Sequence, residues 1–509
     1  MNQLTIIENN QVEMSNHSVK RNFAYSAAYQ ILNIIVPLIT TPYLSRTIGA
    51  VGNGLFSYTQ SIANYFVLFA QLGITNYGVR EIARCGNNRA LRSLTFWEIF
   101  AMNFAWGIAV VACYLFYIFA LGSTNSPLLL IWLCWVVGSV VDVTWLLNGC
   151  QEFKIPMVRN FITRTMGMVF IFIFVRTESD TWAYVTAIAM PFLLNALLVW
   201  PFVNRYVDIV KPTLKGALAH LRPNLLLFIP VIAVSFYTLL DKVMLGAMAG
   251  LGQAGMYDYA EKVSKMPLAV VTALGSAVLP KMTEVISSGR KEEARRLVQE
   301  TMWFMEAVAM GLAFGIVGVA NEFVPVFFGA GYDECIPLMS LLSCIIPLIC
   351  ATNVIGVQYL VPLGRDNQYT LSVLVGAAVN VVINMVGIPR YGAVAASAAT
   401  VAAEAAVLVS QIYMVKGELG LRQSAPAILP YIIFGASMAL AIRLLALVLG
   451  NIAVSIFGLA IEILFGATIY IVLSFFWCLL TKEKHFYNLF GQWLNKSSKY
   501  KVWFSSIRK

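Results

Sequence analysis

The chain has 509 residues, of which 59% are hydrophobic and 12% charged, with 35 Lys and Arg against 25 Asp and Glu, a formal charge of +10 and a mean hydropathy of +0.75. A soluble domain carries roughly twice that charged fraction, so water is not the main solvent for most of this surface. In lipid, backbone polar groups are satisfied within a helix or around a closed barrel; the apolar runs here are continuous and of helical length, not the short alternating strands of a barrel, which excludes the barrel.

Residues 1–22 form a polar tail ending in Lys20-Arg21. It has no apolar core followed by a small-residue cleavage site, so no removable leader is expected and the first helix serves as the insertion signal. Six spans are predicted at 23–45, 55–78, 94–121, 128–150, 157–175 and 182–203, making an N-terminal lobe over 23–203. The basic segment 204–224, with Pro212 and Pro223, reads as a cytoplasmic linker rather than a span. A second lobe over 225–414 is predicted from spans at 225–247, 256–280, 301–320, 336–361, 370–388 and 391–414. The segment 415–480 adds spans at 427–449 and 454–480. In the tail 481–509, Phe486, Leu489, Phe490, Trp493 and Leu494 fall at near-helical spacing among lysines, as in a helix lying in the cytoplasmic interface. The expected fold class is therefore an all-α polytopic membrane protein with about fourteen transmembrane helices: two six-helix lobes plus two C-terminal helices.

Lys and Arg alternate with this topology. The N-terminal tail, the loops after even-numbered spans and the C-terminal tail hold 27, counting Arg159 at the edge of the fifth span; the loops after odd-numbered spans hold only Arg46, Arg176 and Arg390. Positive charge marks the cytoplasmic side, so both termini are expected in the cytoplasm. The basic residues are spread over short loops instead of one face, which argues against nucleic acid. None of the eight cysteines forms a CxxC pair, and His17, His220 and His485 fall outside the predicted spans, so neither a disulfide framework nor a metal site is expected.

Gly54-Leu55-Phe56-Ser57-Tyr58 and Gly255-Met256-Tyr257-Asp258-Tyr259 are similar, each follows a Gly-rich turn, and each opens the second helix of a hairpin. At the same offset of 201 residues, Arg80 falls on Lys281. Six intervening spans preserve orientation, so the copies are parallel repeats, an arrangement in which carriers place a site near the midplane between lobes.

Charges inside hydrocarbon are costly and face a partner or a wet cavity. Candidates are Glu98, Asp142, Arg164, Asp241, Lys242, Asp258, Glu261, Lys262, Lys265, Glu306, Glu404, Arg443 and Glu462. Asp258, Glu261, Lys262 and Lys265 occupy one helical face, where Lys262 and Lys265 can hold a phosphate as point charges. Asp241 or Glu261 can hold a cation or proton for ion coupling, or only neutralise the lysines. Gln30, Asn33, Gln60 and Asn64 with Tyr58 suit sugar hydroxyls and ring faces, and equally serve as interhelical glue. No catalytic constellation, nucleotide loop or cofactor motif is present, so binding plus movement is expected instead of an enzyme.

The series Asn22-Phe23-Ala24-Tyr25, Pro37-Leu38-Ile39-Thr40-Thr41-Pro42-Tyr43, Gly54-Leu55-Phe56-Ser57-Tyr58, Leu72-Gly73-Ile74, Arg80-Glu81, Asp241-Lys242, Gly255-Met256-Tyr257 and Pro389-Arg390-Tyr391-Gly392 through Thr400 and Glu404 resembles the Wzx-type polysaccharide biosynthesis flippases, in order and spacing, over residues of about 20 to 480. The resemblance implies a MATE-like fold, alternating access without ATP, and an undecaprenyl-pyrophosphate-linked oligosaccharide repeat unit as cargo, for O-antigen, capsule or exopolysaccharide. It implies pyrophosphate contacts from Arg80, Arg84, Lys262 and Lys265; the first helix departs in having no Arg or Lys before Arg46. Membrane lipids are expected partners, and a polysaccharide polymerase and a chain-length regulator are further partner candidates. The alternatives are a multidrug/cation antiporter or a peptidoglycan-precursor flippase of the same fold, and a non-transporting scaffold of a glycan-assembly complex.

Overall fold

A computed structural model describes residues 35–120 and 125–481. The N-terminal tail, the start of the first predicted span with Gln30 and Asn33, and the C-terminal tail from 482 lie outside the described residues. Among the described residues all regular structure is helical, and ten helices are long and apolar enough to cross a membrane. The protein is a multi-pass membrane protein. It divides into two compact units, one ending at Asp258 and one starting at Tyr259.

The first unit begins with α1 (35–47) and α2 (Gly49–Gln71), then α3 (Ile74–Arg84). The predicted second span, 55–78, is thereby corrected: the helix begins at Gly49 and breaks at Leu72, whose backbone (φ 48°, ψ −130°) lies where glycine is normally required. Such a conformation costs of order 1–3 kcal/mol and persists only where the surroundings impose it. Here they do: a Cβ on the next residue, Gly73, would lie 2.7 Å from the Asn224 carbonyl oxygen, so α11 (Leu221–Met248) packs backbone against the break. Beyond it, α3 buries Ile74, Tyr77, Gly78 and Ile82 and leaves Arg80 and Arg84 exposed.

Next come α4 (Arg89–Ala120), α5 (Ser126–Val141), α6 (Thr144–Gly149), α7 (Lys154–Phe174), α8 (Thr181–Leu197) and α9 (Trp200–Val203). Asp142 sits in the break between α5 and α6, where its carboxylate accepts from the Thr144 amide (3.0 Å) and hydroxyl. The linker is strapped along α4. Arg89 pairs with Asp208 (2.8 Å), Arg92 and Trp97 donate to the carbonyls of Tyr206 and Asp208 (both 2.9 Å), and the Asp208 amide donates to Ser93 (2.8 Å). The linker helix α10 (Leu214–Ala219) is capped by Thr213, which also donates to Glu98 at 2.6 Å. Gly216 rests on the Glu98 carboxylate so closely that a Cβ there would overlap it.

α12 (Leu251–Lys265) crosses the unit boundary. The second unit continues with α13 (Leu268–Ser287), α14 (Lys291–Phe327), α15 (Cys335–Ser343) and α16 (Ile345–Thr352), the last running into a π-helical turn at Asn353–Leu360. α17 (Asp366–Met414) has 49 residues, roughly 70 Å of helix, more than twice a bilayer core. It holds both predicted spans 370–388 and 391–414, and it bends at Gly392 (φ 52°). α18 (Leu421–Leu449) and α19 (Ile456–Thr481) follow. α19 buries Gly458, Glu462 and Gly466, a period of four that makes one narrow face; a Cβ on Gly466 would lie 2.5 Å from Ile442 of α18. Small residues give close helix contact where lipid supplies no hydrophobic drive.

Candidate substrate and coupling site

The two copies of the sequence repeat meet directly. A Cβ on Gly54 would lie 1.7 Å from the Leu251 carbonyl oxygen, and one on Gly255 would lie 1.8 Å from the Ala50 carbonyl oxygen. Leu251 follows Ala50, and Gly255 follows Gly54, by the same 201 residues. The contact of α2 with the N-terminal part of α12 is thus reciprocal, backbone on backbone, and only glycine permits it.

A buried polar cluster lies beside this crossing. Asp258 is fully buried and receives Lys242 at 2.6 Å and the Asn53 amide at 3.0 Å; the same amide donates to the Gly255 carbonyl at 3.2 Å. Asp241, also buried, accepts from the Tyr257 hydroxyl at 2.9 Å. The adjacent Asp241-Lys242 pair therefore splits its polar contacts, the carboxylate to Tyr257 and the ammonium to Asp258. Asn53 and Tyr257 are the residues that sequence reasoning missed as site members. The signal for both was their place beside the repeated glycines.

In the second unit, Glu261 is buried and bonded to Lys265 at 2.6 Å, while the Lys262 ammonium stands 5.9 Å from the centre of the Tyr259 ring. Within the predicted strip of mixed charge Glu261 is matched by Lys265, whereas Asp258 is matched by Lys242 of α11. Both Lys262 and Lys265 are partly exposed. In the first unit, Arg80 and Arg84 share Glu81, at 3.5 and 2.8 Å. Gln60 and Asn64 lie one turn apart on α2, half-buried, and Tyr58 packs its ring on Gly246 of α11.

Arg443 donates to Glu322 (3.2 Å) and to the Val317 carbonyl (2.9 Å), tying α18 to α14, whereas fully buried Glu462 has no hydrogen-bond partner among the described residues for either carboxylate oxygen. Glu306 is the one charged side chain among the described residues lining a largely apolar cavity of about 520 Å³ in the second unit. A buried row of Asn380, Asn384, Ser397, Thr400 and Glu404 runs along the two arms of α17, with Asn384 donating to Asn380 at 3.0 Å; the two asparagines were not singled out by sequence.

Residues 19–286, just over half of the chain, match the family model described as polysaccharide biosynthesis protein. The chain belongs to the polysaccharide biosynthesis protein family. Among relatives of this polysaccharide biosynthesis protein, a "Putative O-antigen transporter" of Escherichia coli (strain K12) is 22% identical over 362 residues, covering 69% of this chain and 86% of the relative. The solved structure of the lipid II flippase MurJ in an inward closed conformation superposes with a TM-score of 0.70 at 13% identity, covering 91% of this chain and 99% of that one. An inward-facing multidrug resistance MATE family transporter superposes with a TM-score of 0.57, also at 13% identity, over 81% and 99%. The fold of this polysaccharide biosynthesis protein is that of the MurJ and MATE transporters.

Proposed function

We propose that this protein moves a lipid-linked oligosaccharide, an undecaprenyl-pyrophosphate-linked repeat unit, from the cytoplasmic to the outer leaflet of the inner membrane by alternating access. The observation that carries this reading is family membership on a MurJ-like fold, with an O-antigen transporter matched over most of its length. Geometry adds the glycine crossing of the repeat-related helices, a backbone-on-backbone contact bridged by the Asn53 amide. The bias of Lys and Arg toward one set of loops supports cytoplasmic termini and puts the Gly54–Gly255 crossing toward the outer face. Arg80 and Arg84 would draw the pyrophosphate in, Lys262 and Lys265 would hold it, and Gln60, Asn64 and Tyr58 would meet the sugars. Asp241 and Glu261 remain the candidates for ion coupling.

The test is Lys262→Ala combined with Lys265→Ala in a strain that depends on this protein for surface polysaccharide. Export is expected to fall by at least about tenfold at unchanged membrane level, since two point charges opposite a pyrophosphate are lost. Wild-type export from the double variant would remove these lysines from the mechanism.

A further inference from the structure

The first unit contains a second cavity, of about 490 Å³, that the transport reading does not use. It lies between the N-terminal half of α7 and the segment from α8 through Tyr206. One end is polar: Lys154, Arg159 and Arg205 line it with a single carboxylate, Glu152, and the Tyr206 hydroxyl. Three cations against one anion leave a local charge of +2. Arg159 is only 7% exposed, an unusual place for a guanidinium, and donates to the Thr144 hydroxyl at 2.9 Å. The Arg205 guanidinium is held 5.0 Å above the Phe202 ring, and Tyr206 donates to Glu152 at 3.4 Å. No acidic residue occupies the first turn of α7, so the positive end of that helix adds to the field.

The other end is apolar and open. Val158, Ile162 and Leu198 line it, and all three are among the exposed large side chains of the protein. On a membrane protein, exposed apolar residues of this kind contact acyl chains. The cavity therefore changes from cationic to greasy along its length, as a lipid does in the opposite sense of charge. Lys154 and Arg205 belong to the loops that the charge bias assigns to the cytoplasm, where the facing leaflet is anionic.

We propose that this cavity is a binding site for an anionic phospholipid of the cytoplasmic leaflet. The phosphodiester sits among Arg159, Arg205 and Lys154, and the first carbons of an acyl chain run over Val158, Ile162 and Leu198. Arg supplies paired N–H donors to phosphate oxygens, and a partly buried guanidinium has already lost much of its water. A soluble phosphate would leave the apolar end unfilled. A glycan-bearing carrier needs more room than 490 Å³ for its sugars as well as its phosphates.

The purified full-length protein, delipidated in a neutral detergent, is titrated with phosphatidylglycerol or phosphatidylcholine, and bound lipid is counted by native mass spectrometry. Phosphatidylglycerol is expected to be retained at least about tenfold more tightly than phosphatidylcholine. Arg159→Gln with Arg205→Gln is expected to abolish that preference. Arg205→Gln alone, at an exposed position, is expected to reduce it in a protein that remains monodisperse, which covers the case in which the double variant does not fold. Ile162→Trp, which fills the apolar end without touching charge, is expected to reduce retention of phosphatidylglycerol as well. Equal retention of the two lipids, or an unchanged preference in the Arg205→Gln protein, overturns the proposal. So does displacement of phosphatidylglycerol by sn-glycerol 3-phosphate at equal concentration, which would make this a free-phosphate site. Preferential displacement by undecaprenyl phosphate would assign the cavity to the carrier and equally overturn it.

Discussion

Asp258 has no exposed surface, and its charge is balanced by Lys242 at 2.6 Å and supported by Asn53 at 3.0 Å. A buried pair of this kind contributes little net stability, because both ions were taken out of water; removing one partner is a different matter, since it strands the other. Lys242→Ala is therefore expected to destabilise the protein by about 3–5 kcal/mol, read as a lower unfolding temperature in detergent. Lys242→Met with Asp258→Leu removes both charges at similar volume and is expected to recover most of the loss. A Lys242→Ala protein that unfolds at the wild-type temperature would show that the pair does not hold these helices together. Sequence alone made both residues visible as intramembrane charges but could not pair them: Asp258 shares a helical face with Lys262 and Lys265, and its partner came from another helix.

Among elements, the linker shows how local signals and long-range contacts divide the work. Pro212, Pro223 and the basic charge mark the segment as a connector, and α10 with its Thr213 cap is short enough to fit that reading. Its docking on α4 was not legible, because the bonds from Arg92 and Trp97 go to backbone carbonyls more than a hundred residues away, which carry no sequence signature. The strap ends at His220, whose Nδ1 lies 2.7 Å from the Tyr77 hydroxyl and whose Nε2 lies 3.8 Å from Glu98. Burial pushes the imidazole below its ordinary value, against the opposing pull of Glu98 and Glu81. The folded state thus favours the neutral ring, while the unfolded chain takes up a proton near pH 6.5. The stabilisation from this group is complete above that pH and is lost as pH falls through the lower, folded value. Amide exchange in Leu214–Ala219, corrected for intrinsic rate, is expected to become less protected between about pH 7.5 and about pH 5.5, and His220→Gln is expected to flatten the response. Equal acid sensitivity in the His220→Gln protein would assign the effect to another group. The Asp208 carboxyl at the other end of the strap is held below its usual range by the hydrogen bond from Arg89, so it stays charged across this interval.

At the scale of the whole molecule, hydropathy and the Lys and Arg bias were enough to read a helical, multi-pass membrane protein, because lipid leaves few other ways to satisfy the backbone. The break at Leu72 was hidden, since a leucine gives no warning of a positive φ and the cause, Asn224, lies on another helix. The repeat was legible because glycines were kept at one offset, and the structure supplies their reason: Gly54 and Gly255 are the positions where two backbones touch. Alternating access would require that crossing to open once per cycle, and Val51 with Gly252 offers a way to hold it shut. A Cβ at Gly252 would lie 3.9 Å from Val51 Cγ2, so sulfurs carried at the two positions can be joined after a small backbone adjustment. Val51→Cys with Gly252→Cys, in a background whose native cysteines are replaced, is expected to crosslink under mild oxidation and to stop export of lipid-linked glycan. Reduction is expected to restore it, and each single cysteine variant is expected to export normally under oxidant. Full export from a protein crosslinked to completion would mean that α2 and α12 stay together throughout the cycle, and passage by separation of the repeat-related helices would have to be abandoned.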